Sequence, residues 1–270
     1  MKKLFFLILF VLISIIGLIG CSSKIEPLEL VNKYFNNIKS NSFDENYDYL
    51  SSASKNIWTK ENFKEWQCIN KEVFPSKDVK IEKTNEYKNK ELDGIKYQNV
   101  VEYNVTDFYH DNYHDKDANS NFVIYAVNEN NQWKIYRGQE DPKEKIAKVK
   151  DNLAAMYFTG KGENKDINKA QDILNESIEE NPDYSNSYYL LGVMYTNLQR
   201  YDVAIDTVQQ NIDKAKSNEE KSNQYYILGF AYEGKKDYIK AKEYYTQSIE
   251  ANTNNEVAKT ALTKLNSESK

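Results

Sequence analysis

The chain has 270 residues and a formal net charge of −5, from 36 basic and 41 acidic side chains. A mildly acidic surface weighs against nucleic-acid binding and against electrostatic docking on anionic lipid. Nine Gly and four Pro beside 22 Tyr describe an ordered, helix-rich chain rather than a disordered stalk, with room for two modest domains.

The chain opens MKKLFFLILFVLISIIGLIGCSSK. Lys2 and Lys3 precede Leu4–Gly20, 17 residues without a charge, at the lower edge of what spans a ~30 Å hydrocarbon core. Length alone fits either a secretory leader or an uncleaved anchor. The junction Leu18-Ile19-Gly20-Cys21 resembles the lipobox of bacterial lipoproteins. That resemblance implies a signal peptide at 1–20, an acylated Cys21 at the head of a short tether (21–26), and a location on the extracytoplasmic face of the cell membrane. Two acyl chains hold a protein on a bilayer where one is marginal. Loss of Lys2 and Lys3 with the leader moves the charge from −5 to −7. With Cys21 acylated, Cys68 is left without an intramolecular disulfide partner, and in EWQCIN it reads as a packing residue.

From Pro27 to Ser40, helical spacing gathers Leu28, Val31, Tyr34, Phe35 and Ile38 on one face. Ser42 reads as the N-cap of a short helix through Tyr47 and Leu50, and Thr59 as the cap of another carrying Phe63 and Trp66. After Pro75 the period changes to two. DVKIEKTNEY alternates, Asp93-Gly94 is a turn signal, and IKYQNVVEYNV brings Tyr97, Tyr103 and Val105 to alternate positions. NFVIYAVNENNQWKIYRG reads as a hairpin closed around Glu129-Asn130-Asn131.

Three helices followed by an antiparallel sheet, with PLELVNKYFNNI, YDYLSSASKNIWTKENF and QWKIYRG, resemble the nuclear-transport-factor-like (cystatin-like) domains of bacterial lipoproteins, over 27–141. Some members of that family are isomerases or cyclases with an acid or His inside the cone. Asp107, in register with Val101, Tyr103 and Val105, would then point inward as a general base; a solvated Asp is equally ordinary at a strand end. His110 and His114, spaced i,i+4, bind metal on a helix but are not brought together in a strand-to-loop segment. Asp115, Asp117, Asn119 and Asn121 imitate half a calcium loop, yet Ser120 replaces the turn Gly and Ala126 the bidentate Glu. Two His and one free Cys leave few ways to build Ser-His or Cys-His catalysis. No catalytic residue, metal site or cofactor is assigned.

Pro142 marks the boundary of a second unit, 143–270. NSYYLLGVMY from Asn186 and NQYYILGFAY from Asn223 share six of ten residues at an offset of 37. Tyr188-x2-Leu191-Gly192-x2-Tyr195 then Ala204, and Tyr225-x2-Leu228-Gly229-x2-Tyr232 then Ala241, resemble the tetratricopeptide signature, in which small residues admit close helix contact. The unit is normally ~34 residues, and Ser217–Glu219 reads as a loop holding the excess. An earlier copy runs from Leu153-Ala154-x2-Tyr157 to Ala170. Its helices are separated by a longer turn, TGKGENKD, similar to that of Sel-type relatives. Gly160-Lys161-Gly162 is not a phosphate loop, since it follows a helix and lacks GxxxxGK[ST]. Repeats at about 146–182, 185–218 and 222–253, with a capping helix at 254–267, describe a solenoid.

The family resemblance implies a groove lined by first-helix residues: Asn186, Tyr189, Val193 and Thr196; Asn223, Tyr226, Phe230 and Glu233; and Asp151, Ala155 and Phe158. Such an aromatic, amide-bearing groove suits a peptide segment, although the Tyr residues equally serve as filler. It lacks the cations of a carboxylate clamp. The expected architecture is therefore an α+β cone-like domain followed by an all-α tetratricopeptide solenoid. The expected function is a non-enzymatic, membrane-anchored scaffold for a protein or peptide. The alternative is a small-ligand or enzymatic cone whose repeats self-associate.

Overall fold

The computed structural model describes residues 25–138 and 140–268. The expected leader and Cys21 lie outside the described residues. Among those described, no helix is long and apolar enough to cross a membrane.

Four helices come first: α1 (Pro27–Ser40), α2 (Phe43–Asp48), α3 (Ser52–Ile57) and α4 (Lys60–Val73). Pro27 pre-sets the first turn of α1, and Asn41 ends it in the left-handed region at φ 62°. Thr59 Oγ1 accepts the Asn62 N–H at 3.1 Å to start α4. Sequence reading gave three helices. The fourth, α3, is capped by Ser51, whose side chain accepts the Ser54 N–H, while Leu50 leaves the helices to bridge Ile135. On α1 the buried stripe is Leu30, Val31, Tyr34 and Phe35. Leu28, expected inside, is 47% exposed, because the helix is rotated so that Leu30 faces the sheet in its place.

The sheet is an antiparallel meander, β1 (Ser76–Leu92), β2 (Ile95–Asp111), β3 (Lys116–Glu129) and β4 (Gln132–Tyr136), in spatial order β1-β2-β3-β4. Two-residue turns close two of its hairpins. Asp93-Gly94 (φ 50° and 78°) and Asn130-Asn131 (φ 49° and 63°) supply the paired positive φ that matches strand twist. Val101, Tyr103 and Val105 stand opposite Ala126, Ile124 and Phe122. With Leu30, Tyr34, Trp58, Phe63 and Ile135 they form the core under α1.

Helical hairpins follow: α5 (Pro142–Thr159) with α6 (Ile167–Glu180), α7 (Ser185–Asn197) with α8 (Tyr201–Gln209), and α9 (Asn218–Gly234) with α10 (Tyr238–Ala251), then α11 (Glu256–Glu268). Asp141, Asp166, Ser217 and Asp237 cap α5, α6, α9 and α10 through their side chains. The repeat pattern is explained by contact. A Cβ on Gly192 would lie 2.5 Å from Val208, and one on Gly229 2.5 Å from the Tyr245 ring, while Ala204 and Ala241 are fully buried. Ser217–Glu219 is not the expected loop. Ser217 is the cap and Asn218–Glu219 the first turn of α9; the extra length is a 3-10 turn at Ile212–Lys214.

The sheet-bearing unit packs onto the hairpins through α4. Val73 belongs to the repeat core, and Lys150 of α5, 3% exposed, meets Glu65 of α4 at 2.7 Å and Glu180 of α6 at 2.8 Å. Asn112, in the turn after β2, donates its N–H to the Val73 carbonyl at 3.1 Å.

Candidate interaction groove

α7 packs beside both α5 and α9, which brings Val193 beside Ala155 and Phe158 and Tyr189 near Tyr226. Tyr226 stacks on Phe230 with ring centroids 6.4 Å apart, and lies 5.8 Å from the Tyr245 ring. Tyr189 and Tyr226 are near enough to influence each other, and burial raises the pKa of both hydroxyls. Phe230 is 41% exposed, and Val193 and Phe158 are half-buried. These side chains make an apolar strip across three helices. A hydrophobic side chain left open to water costs burial energy, at ~25 cal/mol per Å² of apolar surface, that a partner can recover.

The two asparagines differ. Asn186 donates its amide to Asp151 Oδ2 at 2.6 Å, and Ser187 donates to Oδ1 at 2.7 Å. Asp151 is buried, and burial pushes its carboxyl up to about 7 against the two hydrogen bonds that favour its charge. Asn186 and Asp151 therefore serve the α5–α7 contact rather than offering their polar groups to a ligand. Asn223 is half-buried, and its side-chain amide makes no hydrogen bond within the described residues. Thr196 is buried with its hydroxyl on the Val193 carbonyl, so it does not line the strip. Glu233 accepts from the Tyr245 hydroxyl at 2.6 Å.

At its α5 end the strip deepens into an apolar niche of about 120 Å³ lined by Tyr113, Ala155, Phe158, Leu190, Val193 and Met194 among others. Sequence reasoning missed Tyr113, which the other unit contributes from the turn between β2 and β3. No repeat-based spacing locates it. The Lys161 Nζ lies 5.1 Å from the Tyr113 ring centre, and the Lys165 Nζ 6.0 Å from that of Phe158.

A larger cavity, about 470 Å³, lies between α1, α4 and the sheet. Arg137 holds Glu140 through two 2.8 Å hydrogen bonds, donates to the Tyr34 hydroxyl at 2.9 Å, and covers the Trp66 ring at 4.6 Å. Asp107 also lines this cavity; it accepts from the Ser76 hydroxyl at 2.6 Å, and burial raises its pKa. Neither histidine reaches the cavity. His110 bonds Asp117 and Asp115 at 2.8 and 3.2 Å, and His114 bonds Asp111 at 2.8 Å. Asp117, Asn119 and Asn121 lie on β3, whose extended backbone spreads Asp117 and Asn121 about 13 Å apart instead of wrapping the three around one calcium. Among the described residues no three His, Cys, Asp or Glu are grouped to hold a metal. Cys68, expected to pack, lies exposed on α4 because Phe63, Gln67 and Val73 take the inner face. Partial desolvation raises its thiol pKa, so exposure is not accompanied by activation.

Residues 185–216 and 225–255 match the tetratricopeptide repeat model; the α5–α6 hairpin lies outside both stretches. No curated protein matches the sequence. Among solved structures, the N-terminal domain of stress-induced protein-1 (STI-1) from C. elegans aligns at 14% identity with a TM-score of 0.41, covering 47% of this chain and 99% of that one. The MamA RS-1 ArsTM double mutant aligns at 17% identity with a TM-score of 0.36, covering 47% of this chain and 64% of its own.

Proposed function

We propose that this chain is a lipoprotein, acylated at Cys21 and held on the extracytoplasmic face of the membrane, whose repeats capture a segment of a protein partner. The apolar strip carries this reading: Phe158, Val193, Tyr189, Tyr226 and Phe230 run across α5, α7 and α9, and Phe230 at its far end stays open to solvent. Tetratricopeptide repeats point to protein partners in general, and strip-like faces take extended or helical segments through spaced apolar anchors. The sheet-bearing unit, nuclear-transport-factor-like in this reading, sits next to the anchor and positions the repeats. The test is a photocrosslinking probe at Tyr226 in the native cell, with a control probe at Lys240 on α10. A discrete adduct from Tyr226 alone supports capture in the strip, and equal adducts from both positions, or none, refute it. Palmitate labelling that persists in Cys21→Ser would dispose of the anchor.

A second reading has the 470 Å³ cavity in its favour: a small ligand held between Tyr34, Phe122 and Asp107, with the repeats serving self-association. Under that reading Tyr226→Ala leaves partner capture unchanged, and mass rises with concentration.

A further inference from the structure

Building on capture in the strip, we infer that the niche at its α5 end selects the partner: it takes an aliphatic side chain flanked by carboxylates, so the bound segment is aliphatic–acidic. Two independent features converge there. The first is size and lining. At about 120 Å³, the niche is slightly smaller than the ~150 Å³ apolar cavity that admits benzene. It therefore fits one branched aliphatic side chain and not an indole. It is lined by Ala155, Leu190, Val193 and Met194 together with the rings of Tyr113 and Phe158.

The second feature is charge at the mouth. Lys161 and Lys165 extend from the α5–α6 turn over those same two rings. Both are exposed, and among the described residues neither is paired with a carboxylate. Of the acids in this turn, Asp166 caps α6, and neither it nor Glu163 forms an ion pair with Lys161 or Lys165 among the described residues. Lys169 donates to the Tyr157 hydroxyl, and Asp111 is occupied by His114. A cation resting on an aromatic face keeps its outward donors free. An extended segment advances about 3.3 Å per residue, so a carboxylate one or two positions from the buried side chain arrives within reach of these ammonium groups. The opposite end of the strip carries Glu233. The strip is thus cationic at one end and anionic at the other, which favours one direction of binding.

Panning a library of short randomised peptides on the full chain in detergent tests this, in parallel with K161E/K165E, Ala155→Leu and Phe230→Ala. Enriched sequences should place Leu, Ile or Val within two positions of Asp or Glu. A synthetic peptide of that kind should bind K161E/K165E about tenfold more weakly, and its Asp→Lys version should recover on the reversed protein. Ala155→Leu, which fills the niche and leaves the lysines, should abolish binding. Peptides lacking an acid preference, or indifferent to charge reversal yet lost in Phe230→Ala, overturn the inference and leave capture in the strip standing. Peptides indifferent to all three variants, or no enrichment over a protein-free control, overturn both.

Discussion

Replacing Asp151 by Asn should flatten the dependence of stability on pH. Asp151 is buried between α5 and α7, with hydrogen bonds from Asn186 and Ser187 and no cation among its partners. Burial lifts its folded pKa to about 7 from the ordinary 3.8, so between those values the folded state holds a proton that the unfolded state has released. Stability therefore falls as pH rises through that window, and the full cost is present above pH 7. At ~1.4 kcal/mol per unit of pKa difference, the loss between pH 5 and pH 8 is about 2–3 kcal/mol. Asn keeps the shape and an oxygen for the Asn186 amide, and Ser187 can turn its hydroxyl to accept. Urea melts at pH 5, 6.5 and 8 measure the effect. The wild-type chain should lose those few kcal/mol relative to Asp151→Asn as pH rises, with the variant equal or more stable at pH 8. Parallel curves for the two proteins would refute the argument, because the remaining carboxylates are common to both.

Three further substitutions have definite expectations. In Gly162→Ala the new Cβ lies 2.5 Å from the Asn112 carbonyl oxygen on a backbone at φ +76°, so it should cost about 2–3 kcal/mol. Hydrogen exchange should rise at 110–116 and 159–165 together, and a change confined to one segment would disprove the docking of turn on turn. Gly229→Ala gains about 1 kcal/mol of helix propensity but drives a methyl to within 2.5 Å of the Tyr245 ring. The overpacking cost, ~1–3 kcal/mol, should win, and a rise in melting temperature would show that the ring yields. Phe230→Ala, on an exposed face, should change stability by less than about 0.5 kcal/mol while removing the Tyr226 crosslink.

What the sequence made legible follows from how local each determinant is. Gly192 and Gly229 with Ala204 and Ala241 mark places where helices touch too closely for larger side chains, so their spacing exposes the hairpins directly. Asp93-Gly94 and Asn130-Asn131 are equally local, since each turn type demands residues that tolerate positive φ. The use of a side chain is not local. Asn186 and Asn223 occupy equivalent places in the repeat, yet only Asn186 faces a buried carboxylate 35 residues away. Leu28 and Leu30 both fit a helical stripe, and the sheet's position under α1 decides between them. Tyr113 enters the niche from another unit altogether.

The Gly-Lys-Gly turn connects these levels. A phosphate loop uses glycines so that backbone N–H groups can converge on an anion. Here Gly160 and Gly162 carry the chain around the end of α5 at φ 76° each, and the Asp166 N–H returns to the Tyr157 carbonyl at 2.9 Å. Gly162 lies against Asn112, and Asn112 is bonded to Val73 and Glu72 at the end of α4. The residues that lengthen this repeat therefore also seat the β2–β3 turn, which brings Tyr113 beneath Lys161. The insertion thus joins the two units and completes the rim of the groove with one set of contacts, so a loss of docking carries the niche away with it.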